Sequence, residues 1–197
     1  MSDLICPTGQ KLVAGGPYKS EIAPFCIDEH EVTQGEYAAD KFVKMPEIDP
    51  KLKGSRKPMV NVGWDDARAY CTRRGGDLPT HNEWAKAMRG PHEKKYGTKS
   101  GELNKDEARF DATGPMDVMS YPPNDYGLYD MTGNVWEWVL DTPPWSPSWF
   151  GLFSEMRGGS WSVHTKEMTG SGCFEGGSVP VDESIGFRCT SFPKKWR

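Results

Sequence analysis

Gly127-Leu128-Tyr129-Asp130-Met131-Thr132-Gly133-Asn134-Val135-Trp136-Glu137-Trp138 is the stretch on which the reading of this chain turns. It combines turn formers (Gly127, Gly133, Asn134), two carboxylates and two tryptophans in one short segment. Glycine and asparagine enter turn conformations at low cost, and tryptophan brings large apolar area, so tight turns leading into a short, well-packed strand are expected. Asp130 and Glu137 add oxygens of the kind that hard cations take. In an extended segment alternate residues point the same way, so positions 133, 135 and 137 can serve one centre. The plainer alternative has Asp130 capping a turn and Glu137 paired with an arginine. Trp136 and Trp138 are expected on opposite faces, one in the core and one nearer a surface cleft, with core packing the default for both.

Working outward, 197 residues are enough for a substantial core, and residues 1–197 read as a single domain. The 22 glycines and 16 prolines imply much turn and irregular backbone, hence a loop-rich α+β fold with few short helices and short strands. A net charge of −4, with 24 basic and 28 acidic residues mixed along the chain, offers no stripe to neutralise phosphates, so no nucleic acid partner is expected. No run approaches the roughly 20 apolar residues of a membrane span, and Met1-Ser2-Asp3-Leu4 lacks the charged start and apolar run of an export signal.

Three helices are predicted. Thr33-Gln34-Gly35-Glu36 has capping-box spacing, followed by Tyr37, Ala38, Phe42 and Val43 up to Pro46, which gives a helix over 34–44. Asp65 and Asp66 at one end and Arg73-Arg74-Gly75 at the other bracket a helix over 64–74. Thr80 and Glu83 repeat the capping box for a helix over 81–89, stopped by Gly90-Pro91. Residues 91–120 are polar without period and read as a surface loop. From Tyr121 onward, short strands and loops around an aromatic-rich core are expected. The five cysteines, at 6, 26, 71, 173 and 189, have no C-x-x-C spacing, which argues against zinc and for disulfides. Disulfides in turn point to a periplasmic or secreted location, although no export signal is present in this chain.

The run GLYDMTGNVWEW, with LPTHNEWAKAMRG before it and RGGSW and GFRC after it, resembles the formylglycine-generating enzyme and sulfatase-modifying-factor family, whose fold is a variant of the C-type lectin fold. The resemblance runs from about Cys6 to Cys189 in the family's order. It implies that Cys71 pairs with Cys189, leaving Cys6 and Cys26 as a second pair. Cys173 matches a cysteine whose partner position is Met88 here, so it reads as a buried free thiol, with a reactive or intermolecular thiol as the alternative. Asp130, Gly133, Val135 and Glu137 match one calcium site of the family; the other begins with an asparagine where Arg109 stands and is read as lost. Arg188 of GFRC is expected to form a structural ion pair.

In the family's enzymes, two cysteines five positions apart hold copper. Counting on from RGGSW, these positions are Val163 and Met168, neither of which provides a thiolate, so copper is not expected. A related iron-dependent branch needs three histidines, and the four here, His30, His81, His92 and His164, are scattered. The chain therefore reads as a non-catalytic module that binds a protein or small-molecule ligand. The resemblance implies a groove in which Ser160 and His164 match groove-lining residues of the enzymes and Ser184 replaces an asparagine; Trp161, with Phe174 and Glu175 from the glycine-rich loop between Trp161 and Ile185, is expected to complete it. The alternative is a metal-dependent oxidase with altered ligands, in which His164, Cys173 and Ser160, with Met168 as a soft ligand, would carry the chemistry.

Overall fold

The computed structural model describes residues 4–18, 20–141, 153–164, 173–177 and 181–195, with the backbone alone for 20, 153–154 and 173–177. Its helices start where the capping chemistry places them. Thr33 Oγ1 accepts the Glu36 N–H at 3.1 Å while Glu36 Oε2 accepts the Thr33 N–H at 2.8 Å, opening α1 (Gln34–Ala39). Thr80 and Glu83 repeat the exchange, at 3.2 and 2.8 Å, at the start of α3 (His81–Arg89). Each box satisfies donors that no helical carbonyl can reach. Between them, α2 (Trp64–Arg73) starts at Gly63 with no side-chain cap, and Asp65 and Asp66 supply the negative charge its first turn favours.

The first helix is five residues shorter than the predicted 34–44. Asp40 leaves the helix, and its Oδ1 accepts the Phe42 N–H at 2.9 Å, a local turn that outcompetes continuation. Phe42, expected on the apolar stripe, is 71% exposed as a result.

Short strands also precede the helices: β1 (Leu4–Ile5), β2 (Gln10–Val13), β3 (Gly16–Tyr18), β4 (Ser20–Ile22) and β5 (Phe25–Asp28). After the helices come β6 (Trp136–Trp138), β7 (Phe153–Arg157), β8 (Cys173–Gly177), β9 (Ile185–Gly186), β10 (Thr190–Ser191) and β11 (Lys194–Lys195). The signature strand β6 lies within a sheet of order β8-β7-β6-β9, antiparallel to β7 and parallel to β9. A second sheet, β10-β5-β2, joins the two ends of the chain. Both implied disulfides are formed. Cys71–Cys189 ties α2 to the residue before β10, and Cys6–Cys26 fixes the N-terminal segment to β5.

Tyr37, Tyr70 and Phe187 meet in the main core beneath α1 and α2, with Tyr37 and Tyr70 stacked at 5.2 Å and Phe187 edge-on to both. A second cluster, including Phe25, Trp84, Met88 and Leu128, lies under α3. Two expectations need correction. Residues 91–120 are irregular, but they are not simply a surface loop, because Tyr96, Thr98, Ala108, Phe110 and Val118 are buried. Trp138 is buried in the main core and Trp136 packs against the same cluster; residues two apart on a strand share a face, so the two do not oppose each other.

Candidate functional site

The signature turn leads into β6 through left-handed backbone at Asp130, Gly133 and Asn134, with φ of 58°, 81° and 63°. At Gly133 any side chain would strike the Arg109 carbonyl, which explains the glycine. Asn134 then links four distant segments. Its Oδ1 accepts the Met116 N–H and its Nδ2 donates to Glu31 Oε2, each at 2.9 Å. Its backbone N–H donates to Arg109 O at 2.8 Å, and its carbonyl accepts the Trp161 N–H at 2.7 Å.

Below this turn sits a buried ionic centre. Glu137 accepts from Arg188 Nε and from Trp84 Nε1 on Oε2, and from Arg188 Nη2 on Oε1, all at 2.7 Å. Arg188 also donates to the carbonyls of Asp28 and Tyr129, at 3.1 and 2.9 Å. Burial pulls the guanidinium down, but the charges of Glu137, Glu31 and Asp130 and the hydrogen bonds to Glu137 together more than offset this and hold Arg188 above its ordinary value. Glu31, fully buried, is pushed well above the ordinary carboxyl range by burial and then by the charges of Asp130 and Glu137. Burial likewise raises Asp130 to about 6, against the hydrogen bond its Oδ2 accepts from the Met119 N–H.

Of the four groups matched to calcium, Glu137 is therefore not a free donor: both of its oxygens are committed to Arg188 and Trp84, the alternative the sequence left open. Among the described residues no group of three or more His, Cys, Asp or Glu side chains is arranged to hold a metal ion.

A second buried trio went unread in the sequence. His81 Nδ1 lies 2.7 Å from Glu155 Oε1, and Arg157 Nη2 lies 2.6 Å from His81 Nε2. The tautomer with its proton on Nδ1 satisfies both contacts. Glu155 Oε2 is buried without a hydrogen-bond partner among the described residues.

The groove residues separate into two groups. Trp161 Nε1 donates to Glu183 O at 3.4 Å, bringing the RGGSW segment against Ser184, whose hydroxyl donates to Asp182 Oδ1 at 2.5 Å. Ser160 is fully buried, with its hydroxyl 3.0 Å from that of Ser162. His164 instead faces solvent, its Nδ1 3.0 Å from Asp111 Oδ1, while Lys105 holds the other Asp111 oxygen at 3.1 Å. Hydrogen bonding to Lys105 and then to His164 keeps the Asp111 carboxyl below its ordinary value. The side chains of Cys173, Phe174 and Glu175, and all of Met168, lie outside the described residues; the β8 backbone places Cys173 opposite Arg157.

Position 163, matched to a copper ligand, does not fit the metal. Val163 is 8% exposed and packs with Ala108 and Phe110, so an apolar contact stands where a thiolate would be needed.

A loop-rich α+β fold with a buried Glu–Arg centre under a GNVWEW turn defines a class. Residues 9–191 match the sulfatase-modifying factor enzyme 1-like domain, and the chain belongs to that family. It is 36% identical over 157 residues to the inactive C-alpha-formylglycine-generating enzyme 2 of Bos taurus, covering 68% of this chain and 50% of that protein. It is 33% identical over 172 residues to the formylglycine-generating enzyme of Mus musculus, covering 71% of this chain and 45% of that one. The chain thus spans half the length or less of these relatives. The solved structure of PvdO from Pseudomonas aeruginosa shares the fold, with a TM-score of 0.69 at 22% identity over 86% of this chain and 80% of that one.

Proposed function

We propose that this chain is a non-catalytic binding or accessory module on the formylglycine-generating-enzyme scaffold. It takes a protein or small-molecule ligand along Trp161, His164, Phe174, Glu175 and Ser184, with Ser160, fully buried, supporting that surface from within. The observation that carries this is Val163, whose side chain has no lone pair and is packed against Ala108 and Phe110. Cu(I) binding depends on soft donors, and the first of the two needed is missing. Similarity to a relative named as inactive supports the same reading. Two disulfides support an oxidising, periplasmic or secreted setting.

The test is an anaerobic Cu(I) titration followed by oxygen uptake with a cysteine-containing peptide. No tight stoichiometric binding and no aldehyde are expected; one equivalent of tightly held copper with aldehyde formation on the peptide thiol would establish the oxidase instead. Calcium at Asp130, Gly133, Val135 and Glu137 is a second proposal, favoured by the crowding of Glu31, Asp130 and Glu137 around one guanidinium. It requires Glu137 to exchange arginine for the cation. A Ca2+-dependent rise in Tm that Asp130→Asn abolishes would support it, and an unchanged Tm would dismiss it.

A further inference from the structure

At the C-terminal end of α3 a cleft of about 180 Å3 opens between Lys86, Arg89, Pro91 and Glu93 on one side and Tyr18 and Tyr126 on the other. Lys86 and Arg89 are three apart on the helix, so they share a face. Neither takes part in an ion pair among the described residues. One Arg89 nitrogen, Nη2, donates to Glu93 O at 3.2 Å, which fixes the guanidinium and leaves its other donors available. Basic residues in a last helical turn commonly answer the helix dipole. Here that role is partly filled by Asn124, a buried amide whose Nδ2 donates to the carbonyls of Ala87 and Met88 at 2.9 and 3.2 Å.

Asn124 also builds the opposite wall. Its Oδ1 accepts the N–H groups of Tyr126 and Leu128, at 3.0 and 3.1 Å, so the turn carrying Tyr126 is fastened to the end of α3. Tyr18 and Tyr126 both rest on the buried cluster around Trp84 and Leu128. The cleft is thus preorganised by a helix, a strand and a clamped turn. The surrounding charge is biased in the same sense: residues 86–99 carry Lys86, Arg89, Lys94, Lys95 and Lys99 against Glu93 alone, in a chain whose net charge is −4. Lys94 is paired with Asp125 at 2.8 Å, which leaves Lys86 and Arg89 as the cleft's own cations.

We propose that this cleft binds an oxyanion, carboxylate or sulfate, carried on one small hydroxylated ring such as an acidic sugar. The anion lies between Lys86 and Arg89, the ring packs against the two tyrosines, and Glu93 accepts from a ring hydroxyl. A cleft this small suits a single ring rather than a chain. None of its lining residues belongs to the proposed ligand groove, so either proposal can fail without the other.

The full chain would be titrated with glucuronate, glucose and inorganic sulfate at constant ionic strength, following two-dimensional NMR shifts of the Tyr126 and Arg89 amides. Glucuronate is expected to bind at least about tenfold tighter than glucose, as a charge-assisted hydrogen-bonded contact should provide. It should also bind tighter than sulfate, because the ring contributes. Lys86→Gln with Arg89→Gln should weaken glucuronate by about tenfold or more with Tm unchanged. Equal binding of glucuronate and glucose, undiminished binding by the double variant, or sulfate binding as tightly as glucuronate would each overturn the proposal.

Discussion

Replacing Arg188 by Met tests whether the buried ionic centre holds this fold together. The variant removes both contacts to Glu137 and the donors that serve the Asp28 and Tyr129 carbonyls. It leaves a fully buried carboxylate with Trp84 as its remaining partner. Breaking a buried pair from one side costs about 3–5 kcal/mol.

A loss of about 4 kcal/mol is therefore expected near pH 7. For a chain of 197 residues this corresponds to roughly 8–16 °C in Tm. Equilibrium urea unfolding followed by far-UV circular dichroism, with the disulfides intact, measures it directly. Arg188→Met with Glu137→Leu should lose less than Arg188→Met alone, since the orphaned charge is gone. A single-variant loss below about 1 kcal/mol, or a double variant that loses as much as the single one, would refute the reasoning.

Three further outcomes are expected. Cys71→Ser with Cys189→Ser, opening a loop of 118 residues, should cost about 5 kcal/mol, and Cys6→Ser with Cys26→Ser, spanning 20, about 3 kcal/mol; calorimetry giving the reverse order would count against loop entropy as the cause. Asp130 has a folded value raised to about 6 from 3.8, so its own contribution to stability declines as pH rises through that window. Asp130→Asn should therefore match wild type below about pH 4 and exceed it above about pH 6, and urea midpoints showing no such crossover would refute the assignment. Thr80→Ala removes the capping oxygen of α3 and should cost about 1 kcal/mol, read from urea midpoints, with a loss below about 0.3 kcal/mol counting against the capping box.

Helix starts were legible because a capping box is local: Thr33 with Glu36 and Thr80 with Glu83 complete their bonds within four residues. Helix ends depended on competition that periodicity does not register, and at Asp40 a side-chain turn prevailed over an apolar stripe running on to Phe42 and Val43. The N-terminal strands escaped notice because they are two to four residues long, and because Phe25–Asp28 is buried throughout and so shows no alternation. Residues 91–120 looked polar because Tyr96, Ala108 and Phe110 are too widely spaced to establish a period. The ionic centre was half visible. Glu137 and Arg188 sit in recognisable motifs, whereas Glu31 stands 103 residues from Asn134 with no local cue. His81, Glu155 and Arg157 meet across separations of 74 and 76 residues, and nothing near any of them announces the others.

The family signature and the family chemistry answer to different physical constraints here. Trp84, Asn134, Glu137 and Arg188 come from three motifs, and each is at most 1% exposed. Their polar groups bond to one another, to the buried Glu31 carboxylate or to remote backbone, so changing any one strands a buried partner at a cost of several kcal/mol. Position 163 is under no such constraint. It belongs to a three-residue cluster with Ala108 and Phe110, where an apolar exchange of similar volume costs under about 1.5 kcal/mol. Stability thus constrains the signature residues while leaving position 163 free to change. A match to the signature reports the scaffold, and whether the reaction survives has to be read at residues 163 and 168, where this chain carries valine and methionine.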